Sequence, residues 1–181
     1  SNTKIDKNNV EELNNVLSSF QENSVKLNDK ISSILDLAVV KSKPRIVTYK
    51  YETLDMLDKL KQFLKIEKED KIKLEMKISN KLPSVLYGDE AGIIKVVLYF
   101  FDLVSSVLSK KNILLEIDNI KVGNFAKLRF KFITNDKSIL NYVVEDKKTK
   151  ELKLKITNSI NYEIINNLLE KTNGNITIIK D

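Results

Sequence analysis

Residues Leu82 to Lys95 read LPSVLYGDEAGIIK, and the passage from Gly88-Asp89 into the apolar run that follows decides the fold. Asp89 is a good N-cap, because a short carboxylate can accept the unpaired N–H groups of a first helical turn. Beyond it, Ile93, Ile94, Val97, Leu98, Phe101, Leu103, Val104 and Leu108 leave scarcely any polar stripe. The spacing predicts a helix buried on nearly every side. Lys95, Asp102 and two serines interrupt the run, which falls short of the ~18 apolar residues that a membrane span needs. The Ser105-Ser106 pair reads as packing, and Glu90 needs no role beyond that of a first-turn acid.

Downstream, strands are expected near Ile113–Ile117 and Ala126–Ile133, turning at Val122-Gly123-Asn124. Two more are expected near Leu140–Val144 and Leu152–Ile156, around the charged turn Glu145 to Lys150. A helix follows from about Asn158 to Thr172, with Ile160, Ile164, Ile165, Leu168 and Leu169 inward and Asn173-Gly174 as its C-cap. Ile176–Ile179 reads as a final strand. Upstream, Lys71–Ile78 alternates as a strand, and a helix from about Thr53 carries Leu54, Leu57, Leu60 and Leu64 on one face. Ile46 to Tyr51 reads as a strand with Val47, Tyr49 and Tyr51 sharing a side, Tyr49 and Tyr51 on a half-exposed edge.

Before that lies one long helix, residues 8 to 40. Val10, Leu13, Leu17, Phe20, Leu27, Ile31, Ile34 and Ala38 recur with Ser24 at alternating spacings of three and four. That is a heptad seam, which wants partner helices rather than a sheet. Pro44 stops the helix.

Composition excludes several kinds of chemistry. The 181 residues include no cysteine and no histidine, so disulfides, thiolate nucleophiles, histidine bases and phosphohistidine are all absent from this sequence. No metal ligand set and no catalytic residue is expected. The net charge of +6 comes almost wholly from Lys, with only Arg45 and Arg129 as arginines, and it is interleaved with acids. That favours a solvated surface over a nucleic-acid groove, which uses clustered Arg and aromatics. Neither a nucleic-acid nor a membrane partner is expected, and the lack of cysteine fits the cytoplasm.

The order of elements, with three local stretches, resembles the sensor histidine kinase core: a helical dimerisation hairpin followed by the ATP-binding sandwich shared with gyrase and related ATPases. ISSILDLAVVKS (Ile31 to Ser42) is similar to the end of the second dimerisation helix. LPSVLYGDEAGIIK is similar to the LPxxLxGDxxRLxQ approach to the N-box, and NLLEKTNGNITI (Asn167 to Ile178) to the stretch near the family's C-terminus. The resemblance implies an α+β fold. A long dimerisation-type helix (residues 1–43) is followed by a histidine-kinase-like, Bergerat-type α/β sandwich with a mixed sheet (44–181).

It also implies where the ATP chemistry belongs. The N-box asparagine that holds Mg²⁺ falls on Leu103, and the earlier one on Tyr99. The DxGxG motif falls on Thr134, Asp136 and Ser138, and the glycines of the GLGL turn on Ser159 and Asn161. Leucine cannot ligate a hard cation. None of the four glycines (Gly88, Gly92, Gly123, Gly174) lies in a phosphate loop. The short segment between the lost motifs reads as a hairpin replacing the mobile ATP lid. No cofactor is expected. The phosphoacceptor His belongs to the first dimerisation helix, which either lies upstream of this sequence or is missing. Two functions stay open: a homodimeric scaffold or adaptor for a response regulator receiver domain or partner kinase, and a divergent but active kinase fragment. A basic nucleic-acid-binding module ranks below both.

Overall fold

The computed structural model describes residues 7–42, 47–66, 72–109, 112–122, 125–156 and 159–180. The order is α1 (Lys7–Ser42), β1 (Tyr49–Glu52), α2 (Thr53–Ile66), β2 (Lys73–Ile78), β3 (Val85–Gly88), α3 (Glu90–Val107), β4 (Asn112–Val122) and β5 (Phe125–Ile133). A 3-10 turn (Lys137–Tyr142), β6 (Val143–Glu145), β7 (Leu152–Leu154) and α4 (Ile160–Lys171) complete it. The central sheet is mixed, in the order β2-β4-β5, with β2 parallel and β5 antiparallel to β4. Two small antiparallel pairs, β1-β3 and β6-β7, flank it. The fold is α+β, a long N-terminal helix followed by a sandwich with a mixed sheet.

The core lies between this sheet and α2 and α3. Met56, Leu57, Leu60 and Leu64 of α2 meet Ile94, Val97, Phe101 and Val104 of α3 over Ile113, Leu115 and Ile117 of β4. The strand period of two sends those three β4 side chains to one face. Phe132 of β5 closes the layer, with ring centroids 5.1 Å from Phe100 and 6.4 Å from Phe101.

Several sequence expectations change in detail. Leu54 is exposed rather than inward. The cause is Thr53, whose hydroxyl donates to the Pro83 carbonyl at 2.5 Å and whose N–H donates to Ser84. This turns the inward face onto Thr53, Met56, Leu57, Leu60 and Leu64. Strand β3 was not expected; it pairs Val85–Gly88 with β1. The Leu140–Val144 strand is mostly a 3-10 turn, because the Asp136 carboxylate accepts the Ser138 N–H at 2.9 Å and starts a helical turn there. Strand β6 shrinks to three residues, and β7 stops at Leu154. Ile176–Ile179 forms no strand. Helix α4 ends in a turn with Asn173 at φ 52° and the Gly174 N–H on the Leu169 carbonyl, after which the chain is met by a Lys127–Asn175 side-chain contact. Arg45, Ile46, Lys71, the Gly123-Asn124 turn and Asn158 lie outside the described residues.

The charged turn is a hairpin loop. The Asp146 carboxylate accepts the Lys153 ammonium at 2.7 Å and the N–H groups of Lys148 and Thr149. These donors hold its carboxyl well below the usual range.

The start of α3 carries a buried charge. Asp89 caps it, accepting the Gly92 N–H at 2.9 Å. Glu90, only 5% exposed, accepts Lys59 Nζ of α2 at 2.7 Å and Tyr49 Oη of β1 at 2.9 Å. The hydrogen bond from Lys59 lowers its pKa against the opposing effect of burial, with Tyr49 adding to the lowering. A lowered folded pKa contributes stability above the ordinary glutamate value of 4.5 and loses it as pH falls through the folded value. Replacing Glu90 by Gln is expected to cost about 1–3 kcal/mol at neutral pH. In urea titrations the gap between wild type and variant should narrow below pH 4.5. A gap that stays constant down to pH ~3 would mean that the ionised pair contributes nothing.

Candidate functional site

Lys95, Tyr99 and Leu103 are spaced four apart and so line one face of α3. Near its C-terminal end, α1 meets this face. Asp36 accepts Lys95 Nζ on one carboxylate oxygen and Tyr99 Oη on the other, each at 2.5 Å. About a turn and a half further on, Lys41 pairs with Glu163 of α4, against which α1 also packs. Burial pushes the Asp36 carboxyl up, but the hydrogen bonds from Lys95 and Tyr99 and the Lys95 charge outweigh it and hold the pKa below its ordinary value. Leu103 is 4% exposed.

The second group of expected positions is a helix start. Thr134 Oγ1 accepts the Asp136 N–H at 3.1 Å, and Asp136 caps the 3-10 turn through Ser138. The Ser138 hydroxyl donates to the Val107 carbonyl and accepts the Ser109 N–H, both at 3.1 Å. It therefore ties the turn to the end of α3. Asp136 is buried and Thr134 and Ser138 are half-buried.

The third group opens α4. Ser159 is its N-cap, accepting the Tyr162 N–H at 3.1 Å. Asn161 follows, half-buried, in the first turn. Helix α4 packs against α3, so the second and third groups flank the same buried helix.

The seam of α1 points elsewhere. Val10, Leu13, Leu17, Phe20, Leu27, Ile31, Ile34 and Ala38 are all exposed, Phe20 by 70%. Val16, Val25, Leu35 and Val39 add to the apolar surface.

The chemistry on offer is limited. Among the described residues no group of three or more His, Cys, Asp or Glu side chains is placed to hold a metal ion. Leu103 has no lone pair to give. The hydroxyls of Ser138 and Ser159 and the carboxylate of Asp136 serve caps and junctions. No helix among the described residues is long and apolar enough to cross a membrane.

Sequence reasoning missed the Asp36 cluster, although part of its signal was present. Lys95 and Tyr99 share a helix face, and Asp36 is the one acid within ISSILDLAVVKS. What no pattern in the sequence supplied was the angle at which α1 returns to α3.

No family model matches the chain, and no curated protein sequence matches it. Solved structures do. The histidine kinase AdeS of Acinetobacter baumannii superposes with a TM-score of 0.53 at 12% identity, over 86% of this chain and 73% of its own. ShkA, solved full-length in complex with AMPPNP, gives a TM-score of 0.62 at 13% identity over 94% of this chain. The match spans 36% of ShkA, about a third of that protein. At such identities the likeness is one of fold, and the chain has a histidine-kinase-like fold.

Proposed function

We propose that this chain is a two-component signalling module of histidine kinase type that has given up ATP and phosphohistidine chemistry. It divides into the dimerisation-type helix, residues 1–43, and a sandwich, 44–181. It works as a dimerising scaffold or adaptor for response regulator receiver domains or partner kinases, in the cytoplasm. The observation that carries this reading is Leu103. It is buried on the face of α3 where the resemblance puts the magnesium-holding asparagine. A Mg²⁺-triphosphate needs oxygen ligands, a carboxylate for the adenine amino group and open backbone for the phosphates. The residues at these positions are Leu103, Thr134, Ser159 and Asn161, and they do not fit that group. Histidine is absent from the sequence.

The competing reading is a divergent, active kinase fragment with its acceptor His upstream, and nucleotide binding separates the two. Losing a hydrogen bond to a charge costs about 1.5–3 kcal/mol. Several such losses move the dissociation constant past the millimolar range, at tenfold per ~1.4 kcal/mol. Isothermal titration with Mg²⁺-ATP at physiological salt is expected to show no saturable binding, with ShkA as the positive control. One-to-one binding tighter than about 100 µM, more than ~5 kcal/mol, would establish the kinase reading instead.

Assembly and partner are tested separately. In sedimentation equilibrium the wild type is expected at twice the single-chain mass, and replacing Leu17 and Ile31 together by Asp should lower it. A wild type that stays monomeric at high micromolar concentration rules out the homodimer. The adaptor role predicts capture of receiver domains through α1 and the segment around β1, with affinity near micromolar for a small interface. Retention of DNA with a steep salt dependence, and of no receiver domain or kinase, would make this a nucleic-acid module.

A further inference from the structure

The long helix packs along α4, and it reaches α3 through a polar contact. Asp36 takes two donors from one helix, Lys95 and Tyr99, spaced a turn apart. The two oxygens of one carboxylate are thereby both committed to α3. This sets the rotation of α1 about its own axis as well as its distance from α3. Lys41 and Glu163 add a second point a turn and a half along α1, on α4. Two points on two different helices fix a direction; one would leave a pivot. The apolar side chains of α1 over most of its length are turned away from the sandwich and exposed.

We infer that Asp36, Lys95 and Tyr99 form a polar latch that locks the angle between α1 and the sandwich, and that the latch can be opened without unfolding either part. The inference goes beyond the proposed function and does not depend on it, since a kinase or a scaffold would carry the same latch. Its reversibility follows from its chemistry. Asp36 keeps 26% and Lys95 39% of its side-chain surface exposed, so water and ions reach the pair. An ion pair in that setting is weakened by salt, whereas the apolar core around Phe101 and Leu115 is not. Opening the latch gives up two hydrogen bonds that water can replace. It also uncovers the α3 face that carries Lys95 and Tyr99, where the closed state presents that face to α1. Tyr99 has a part in this that a phenylalanine could not play, because its hydroxyl rather than its ring reaches Asp36.

Because the chain has no cysteine, two introduced ones are unique. Lys30→Cys on α1 and Glu145→Cys on β6 are both exposed positions and carry spin labels. The labelled chain is mixed with an excess of unlabelled chain so that only distances within one molecule are read. Pulsed dipolar spectroscopy is expected to give one narrow distance distribution at about 0.1 M salt, where charges interact over about 10 Å. The narrow peak should be lost in Asp36→Ala and in Lys95→Ala, and weakened in Tyr99→Phe. Near-UV circular dichroism and the urea midpoint of the sandwich should stay close to wild type in these variants. Raising salt to about 1 M, where screening acts within about 3 Å, should broaden the wild-type peak with no substitution at all. A narrow peak that survives both Asp36→Ala and high salt overturns the latch. So does a wild-type distribution that is already broad at low salt. If the alanine variants unfold, the Tyr99→Phe variant and the salt series decide the question alone.

Discussion

Everything in the sandwich is arranged around α3, and α3 is held at its start by two adjacent acids with different tasks. Asp89 satisfies one of the open N–H groups of the first turn, that of Gly92. Glu90 is drawn inside and takes a tyrosine from β1 and a lysine from α2. A carboxylate buried without partners would be too costly to keep ionised. Its partners must therefore arrive from two other elements, and their arrival positions β1 and α2 around the helix. From that fixed start the remaining turns of α3 deliver Ile94, Val97, Phe101 and Val104 to the core, and Ser106 and Ser105 fold their hydroxyls back onto the Leu103 and Asp102 carbonyls. Both hydroxyls thus find an acceptor within the helix itself.

The positions that the resemblance marks for nucleotide chemistry carry residues with local structural tasks. Asp136 starts a turn, Ser138 joins that turn to the end of α3, and Ser159 starts α4. Asp136 and Ser159 accept a hydrogen bond close to their own backbone, and Ser138 bonds across to the end of α3; each task asks for a polar side chain, which glycine lacks. A flexible glycine-rich loop and a capped, tied-down helix start are alternatives at one place in the chain. This sequence has the second at Ser138 and Ser159.

The fold was legible where periodicity was strong. The long α1, the all-round apolar α3 and the alternation of β4 could be read from spacing alone. It was less legible where a single side chain redirected the backbone. Thr53 swung α2 by about one residue, which exposed Leu54 and buried Met56. Asp136 turned most of an apparent strand into a 3-10 turn. Strand β3 was hidden because four residues are too few to show a period. The candidate site was legible only as a set of replacements. Its Asp36 cluster joins that residue to others about sixty positions away, and only the tertiary arrangement brings them together.

Among the described residues strand β5 forms one edge of the central sheet, nine residues long, and an unpaired edge of that length invites another copy to add its own. Its solvent face carries Lys127, Arg129 and Lys131 in succession. Within the chain, Asp118 grips Arg129 through both oxygens, and Glu116 lies 3.6 Å from Lys131. A second copy pairing antiparallel about Arg129 would set Arg129 against its own twin and each Lys127 against a Lys131. Like charges placed directly opposite across a ladder repel. The same cations, with Arg129 and Lys131 paired to acids inside one molecule and Lys127 set against the Asn175 amide, thus weigh against a second copy adding its strand at this edge.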